Sequence, residues 1–207
     1  FNKILTHDLQ EPIRKIQIFA SRLEDISTHE DLNVKSRRYL QRIYEISAYS
    51  HRLLKRLQGY HALDYYENHY LTANLETVVE SALKKVDIEA IEPDYHQLNV
   101  HEIYGDIHQL TRLFGELLLN SYLYRSLDRP LSIKISSKRI KKQYSLTSLG
   151  DYEFMDFIRI TVRDNAMGFP AHAEKVIFKP LQKLNNVHGK GLGLAYCKKI
   201  VELHNGS

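Results

Sequence analysis

The sequence predicts an α+β protein in which a long helical hairpin precedes an α/β sandwich. Three observations carry this reading. The first third has apolar residues at helical spacing and almost no glycine. Beyond residue 70, alternating stretches suited to strands are mixed with amphipathic helical stretches. Near the end, Gly189, Gly191 and Gly193 stand directly before another helical pattern.

The hairpin comes first. Leu9, Ile13, Ile16, Ala20 and Leu23 are spaced four, three, four and three residues apart, a seam of coiled-coil type. The charged stretch "HEDLNVK" interrupts the pattern. A second seam follows at Ile43, Ile46, Ser50, Leu53, Leu57 and Tyr60. Two helices joined by one short loop have too little core alone. Two such hairpins paired as a four-helix bundle would bury both seams, which predicts a homodimer. His7 lies two residues from Leu9, so it points away from the seam. Its face continues through Glu11, Arg14 and Ser21 and is polar except for Ile18. Pro12 has no N–H and crowds the carbonyl of Asp8, so a bend is expected beside His7.

The sandwich follows "YHALDYYENHY". "NLETVVESALKKV" is an amphipathic helix with Asn74 as its cap. "HQLNVHEI" alternates like one strand, and "DIHQLTRLFGELLLNSYLYRS" is a helix. "LSIKISSKRI" and "EFMDFIRITVRD" are strands joined by a polar loop holding Gly150, and "GLAYCKKIVELH" is a closing helix. Helices mixed with strands that pair as hairpins give an α+β sandwich. The domain boundaries read as 1–66 and 70–207.

The totals bound the function. The chain has 207 residues, 43% hydrophobic and 26% charged, which suits a soluble globular protein. A net charge of +4 with no dense basic run leaves nucleic acid without support as a partner. One cysteine, Cys197, excludes an internal disulfide framework and fits a reducing compartment. No apolar run is long enough to span a membrane. The chain starts at Phe1 and stops after "HNGS". It is therefore expected to be the excised, C-terminally truncated core of a longer protein. A membrane or sensor region would lie outside it.

Three short motifs suggest chemistry. The glycines of "GKGLGLAYCKKIVELH" let the backbone approach a phosphate, and the helix behind them presents unpaired N–H groups. The alternative is a flexible loop with a glycine cap. In "RDNAMGF" a strand ends at Asp164, with Gly168 four residues on. A carboxylate there can accept from an exocyclic amine such as that of adenine, or the stretch is an ordinary turn. In "GELLLNSYLYR", Glu116 and Asn120 share a helix face. Oxygen ligands so placed suit Mg²⁺ held together with phosphates. The plain alternative is two polar residues at a helix surface.

Taken together, in this order and spacing, the motifs resemble those of the transmitter core of two-component sensor histidine kinases, over essentially the whole chain. "THDLQEP" is similar to the phosphoacceptor motif, "DNAMGF" to the aspartate motif, "IFKPLQKL" to the phenylalanine motif and "GKGLGLA" to the glycine motif; Glu116 and Asn120 match the ends of the asparagine motif. "HDLQEPIRKI" further resembles the phytochrome-type and PAS-type subset. The resemblance implies an ATP-binding sandwich of the gyrase and histidine-kinase type. It implies that His7 accepts the phosphoryl group and that Asp8 orients it, with Glu116 completing the catalytic set. Asn120 would hold Mg²⁺ and Asp164 the adenine amine. Tyr124, Gly168, Gly189, Lys190, Gly191, Gly193 and Leu194 would complete the ATP site. The implied partners are a second copy, a sensor domain outside this chain and a response regulator receiver domain. The implied location is the cytoplasm, or the cytoplasmic part of a membrane-bound sensor.

Four positions depart from the family pattern. Ala166 stands where glycine is usual, Leu123 where a basic residue is usual, and Glu11 where many members carry Thr or Asn. The lid between Leu184 and Gly189 is short. These departures motivate an alternative, a degenerate kinase that dimerises and docks partners but binds ATP weakly. A third reading is an ATPase of the gyrase and chaperone type, with Glu116 activating water.

Overall fold

A computed structural model describes residues 12–23, 34–86, 91–145, 152–174, 176–181 and 191–207. The chain divides into two compact units, Phe1–Tyr65 and Tyr66–Ser207. His7, Asp8, Leu9, Glu11, Gly189, Lys190, the "HEDLNVK" loop and the expected bend at Asp8 lie outside the described residues.

In the first unit, α1 covers residues 12–23 and α2 spans Val34–Ala62. The rings of Phe19 on α1 and Tyr39 on α2 lie 5.8 Å apart, so the two helices touch there. Leu53 and Leu57 of the second seam are buried. Ser50 fits within that seam because its hydroxyl donates to the carbonyl of Ile46 at 2.8 Å. Away from Leu53, apolar surface stays uncovered: Ile13 is 53% exposed, Leu40 57% and Tyr44 72%.

In the second unit, β1 (Tyr70–Asn74) pairs antiparallel with β3 (Glu102–Asp106), Tyr70 opposite Asp106. A separate sheet has the order β2-β4-β5. Here β2 (Asp94–Leu98) runs parallel to β4 (Ile133–Ser145), and β4 is antiparallel to β5 (Tyr152–Asp164), with Ile133 opposite Asp164. Helix α3 (Leu75–Val86) is capped by Asn74, whose side-chain oxygen accepts from the Thr77 N–H at 3.1 Å. It buries Leu75, Val78, Val79 and Ala82. Helix α4 (Ile107–Leu123) buries Leu113, Phe114 and Leu118, and α5 (Gly193–Leu203) buries Ala195, Tyr196, Cys197 and Ile200. With Ile133 and Ile135 of β4, these side chains make the core.

The stretch "HQLNVHEI" is not one strand. β2 ends at Leu98, and β3 begins at Glu102 in the other sheet. The reason is Ser137, buried at 2% exposure. Its hydroxyl accepts from the Val100 N–H at 3.0 Å and donates to the Val100 carbonyl at 2.6 Å. Those bonds replace the ladder and let the chain cross. Strand β1 was not anticipated. It pairs with a segment some thirty residues on, and it is short and mostly exposed, so local alternation does not mark it.

The ends of three elements are tied together. The Asp106 N–H donates to Nε2 of His204 at 3.0 Å, and Nδ1 of His204 lies 2.7 Å from the Ile200 carbonyl. Nε2 accepts, which sets the ring proton on Nδ1, facing the Ile200 carbonyl. The Tyr70 hydroxyl donates to the Leu203 carbonyl at 2.6 Å. One end of α4 and of α5 is thus fixed, and the opposite ends form the site.

Candidate functional site

Asn120 and Glu116 lie on α4, one turn apart, and meet the start of α5. A methyl group placed on Gly193 would come 2.9 Å from Glu116 Oε2, and 3.5 and 3.6 Å from the Asn120 amide atoms. Glycine here lets α5 begin close against α4 without displacing the Glu116 carboxylate tip. The first turn of α5 has no side-chain cap: Leu192 occupies the cap position and is fully buried. Leu192 thus gives the leading N–H groups of α5 no side-chain cap, which suits that end to an anion.

Asp164 closes β5 beside α4. Its Oδ2 accepts from the Ser121 hydroxyl at 2.8 Å, and its Oδ1 accepts from the Ala166 N–H at 3.0 Å. The loop after it is clasped to the helix by Met167 N–H, which donates to the Tyr124 carbonyl at 2.9 Å. Asn165 ties the loop to the turn before β4. Its side-chain oxygen accepts from Ser132 N–H at 2.9 Å, and its amide donates to the Pro130 carbonyl at 2.9 Å. Gly168 is left-handed at φ +68°, a conformation that favours glycine. Ala166 is not among the left-handed residues, so alanine carries no backbone strain at that position.

Gly191 has φ +66°, and its carbonyl accepts from the Leu181 N–H at 2.6 Å. That bond brings together the end of "IFKPL" and the start of "GLGLA". Arg125 is committed locally. It donates to the Tyr122 carbonyl at 2.6 Å and stacks 3.8 Å above the Tyr122 ring.

The structure thus brings Glu116, Asn120 and Gly193 together at one junction, and links Asp164 to the same helix. Tyr124 and Gly168 belong to the Asp164 loop, while Gly191 and Leu194 flank Gly193. Gly189, Lys190, His7 and Asp8 lie outside the described residues. Sequence reading missed Ser121. Its signal was available: it follows Phe114 and Leu118 on a buried seam, where a hydroxyl requires a partner.

Asn120 and Glu116 offer side-chain oxygens one turn apart at this junction. Among the described residues there is no cluster of three or more His, Cys, Asp or Glu side chains. A Mg²⁺ here would rest on side-chain oxygens of Asn120 and Glu116, with phosphate and water completing its shell.

The chain is similar to known proteins in sequence and in fold. Residues 105–207 match the family of histidine kinase-, DNA gyrase B-, and HSP90-like ATPases. Cyanobacterial phytochrome A of Nostoc sp. is 25% identical over 211 residues, which cover 100% of this chain and 26% of the relative. Sensor protein kinase PmrB of Pseudomonas aeruginosa is 26% identical, over 97% of this chain and 40% of the relative. The chain therefore spans less than half the length of these relatives. Among solved structures, the histidine kinase AdeS of Acinetobacter baumannii aligns with a TM-score of 0.57 at 20% identity, over 95% of this chain and 86% of that one. The mycobacterial sensor histidine kinase MprB aligns with a TM-score of 0.51 at 17% identity, over 67% and 83%. At those identities the structural likeness is one of fold. Residues 105–207 form an ATPase domain of the histidine kinase-, DNA gyrase B-, and HSP90-like family, and the chain around it is similar in sequence to sensor histidine kinases.

Proposed function

We propose that this chain is the core of a two-component kinase that phosphorylates itself on His7 from Mg-ATP and passes the phosphoryl group to an aspartate of a response regulator. The observation that carries the proposal is the junction of Gly193 with Glu116 and Asn120, beside an Asp164 held from the same helix. Asp164 accepts the adenine amine through the lone pairs that Ser121 and Ala166 leave free. Asn120 would hold Mg²⁺, which would neutralise phosphate charge. The N–H groups at the start of α5 donate to phosphate oxygens, and Gly189, Lys190, Gly191 and Leu194 would add to these contacts.

An imidazole nitrogen of His7 attacks the γ-phosphorus. The N–P bond forms as the bond to the β-phosphate oxygen breaks and ADP leaves. Asp8 accepts a hydrogen bond from the other ring nitrogen and stabilises the charge that develops. Such transfer depends mainly on positioning and neutralisation. The protein acts as a homodimer through its hairpin, which the uncovered Ile13, Leu40 and Tyr44 support. It works in the cytoplasm, alone or as the cytoplasmic part of a membrane-bound sensor. None of its described helices is long and apolar enough to cross a membrane.

The test is autophosphorylation with γ-labelled ATP and Mg²⁺, wild type against His7→Gln. Label that survives base, is lost in acid and vanishes in the variant is expected. A folded protein that takes no label overturns the kinase and leaves the docking module. Steady ATP hydrolysis unaffected by His7→Ala would instead mark a gyrase-type ATPase.

A further inference from the structure

The outer face of the three-stranded sheet carries an unbalanced charge pattern. The β4–β5 register sets Lys134 opposite Arg163 and Lys138 opposite Arg159, with Ser136 opposite Thr161 between them. These residues alternate with the buried Ile133 and Ile135, so they project from the side away from the core. All four cations are exposed. Side chains directly opposite in such a ladder have Cβ atoms about 5 Å apart, and like charges there are destabilising. The two cationic rungs stand about 13 Å apart along the strands, at about 3.3 Å per residue. A ladder arranged only for stability would set an acid opposite each cation.

One acid does reach this face. Asp94 on β2 is paired with Lys134, its Oδ2 lying 3.9 Å from Nζ. Among the described residues, no carboxylate pairs with Lys138, Arg159 or Arg163.

We propose that this face docks a carboxylate-rich surface of a partner protein. The partner's carboxylates would meet Lys138, Arg159 and Arg163 as Asp94 meets Lys134. Two of the three are arginines, whose planar fork matches a carboxylate with two parallel hydrogen bonds. The centre of the face is Ser136 and Thr161. Both are polar, so the stretch between the two cationic rungs offers neither an aromatic platform for bases nor an apolar side chain for a lipid layer; the next rung, Ile140 opposite Phe157, is partly buried. Arg163 directly precedes Asp164 and points to the opposite side of β5, so a docked partner would sit behind the strand end that carries Asp164.

The experiment uses the full 207-residue chain. It compares Lys138→Glu with Lys84→Glu, an exposed position on α3 with the same change of charge. The probe is poly-L-glutamate at about 0.15 M salt, where distant charges are screened. Lys138→Glu is expected to weaken binding about fivefold or more, as loss of a charge-assisted contact does, while Lys84→Glu leaves it nearly unchanged. Lys138→Glu is also expected to raise the melting temperature, because it turns a like-charge rung into an opposite-charge one. Equal loss in both variants, or binding that appears only at low salt, would reduce the effect to net charge and overturn the proposal. So would a lowered melting temperature in Lys138→Glu, or capture by anionic lipid vesicles or duplex DNA without binding to poly-L-glutamate.

Discussion

Ser121 on α4 and Asp164 at the end of β5 share a hydrogen bond of 2.8 Å. The same hydroxyl lies 3.1 Å from the Leu117 carbonyl, so its single proton has two possible acceptors. When it is given to Asp164, one carboxylate oxygen is fixed while a lone pair stays available to a ligand. Ser121→Ala should weaken nucleotide binding by about three- to tenfold, in line with about 1 kcal/mol for one hydrogen bond. Asp164→Ala should remove binding. Calorimetric titration with ADP and Mg²⁺ checks both, and equal affinities in wild type and Ser121→Ala would show that Asp164 needs no such support.

Gly193 separates stability from chemistry. A methyl group there meets the tip of Glu116, a flexible side chain that can swing aside. Gly193 is the first residue of α5, a position where alanine is tolerated as readily as glycine. Gly193→Ala should therefore leave the melting temperature nearly unchanged. It displaces the carboxylate and crowds Asn120, so autophosphorylation should fall by about tenfold or more. A variant as active as wild type would mean that the Glu116 and Asn120 junction does not hold the reacting groups.

Much of this site was legible because its parts are local. Glu116 and Asn120 are four apart on an evident helix, Asp164 ends an evident strand, and Gly193 opens an evident helix. What was not legible depends on distant pairing. Nothing near Tyr70 announces that it pairs with Asp106, or that Ser137 pulls the chain out of one sheet and into another. Ser121 and its partner are likewise 43 residues apart. Local periodicity reports which face of a segment is buried, but not which other segment covers it.

Asp106 links the fold to pH. It is 1% exposed, and its carboxylate accepts from the His69 and Gln109 N–H groups at 3.0 Å each. Burial alone would raise its pKa, but N–H donors from His69, Gln109 and His108 outweigh burial and hold it below the usual carboxylate range. A lowered folded value means that the stabilisation is fully present above the unfolded value of about 3.9, and is lost as pH falls through the folded one. Asp106→Ala should cost about 1–2 kcal/mol at neutral pH, the scale of a lost helix cap. The gap to wild type should shrink below about pH 4. Urea unfolding from neutral to acid pH measures it, and a gap constant at every pH would show that the charge contributes nothing.

Tyr95 predicts the opposite kind of outcome. Its hydroxyl is buried and has no hydrogen-bond partner among the described residues. Burial, then the nearby Glu80 and Glu76, push its pKa up to about 12. Removing an unsatisfied buried hydroxyl restores its desolvation cost. Tyr95→Phe should therefore be neutral, or stabilising by up to about 1 kcal/mol. A loss larger than that, read from the denaturation midpoint, would reveal a partner for the hydroxyl.

The hairpin predicts an assembly. Leu40 and Tyr44 on α2 and Ile13 on α1 are large, apolar and more than half exposed, although they sit on helices with a buried stripe elsewhere. Burying a leucine side chain contributes about 1.5–3 kcal/mol, and a symmetric interface gains it twice. A charge at that position would lose the gain and add the cost of desolvating a carboxylate. Light scattering at micromolar concentration should give twice the 24.3 kDa chain mass for wild type and the single-chain mass for Leu40→Glu. Circular dichroism of the variant should stay helical, because Leu40 takes little part in its own chain's core. A wild-type protein with the single-chain mass would leave these side chains for some other partner and remove the four-helix bundle.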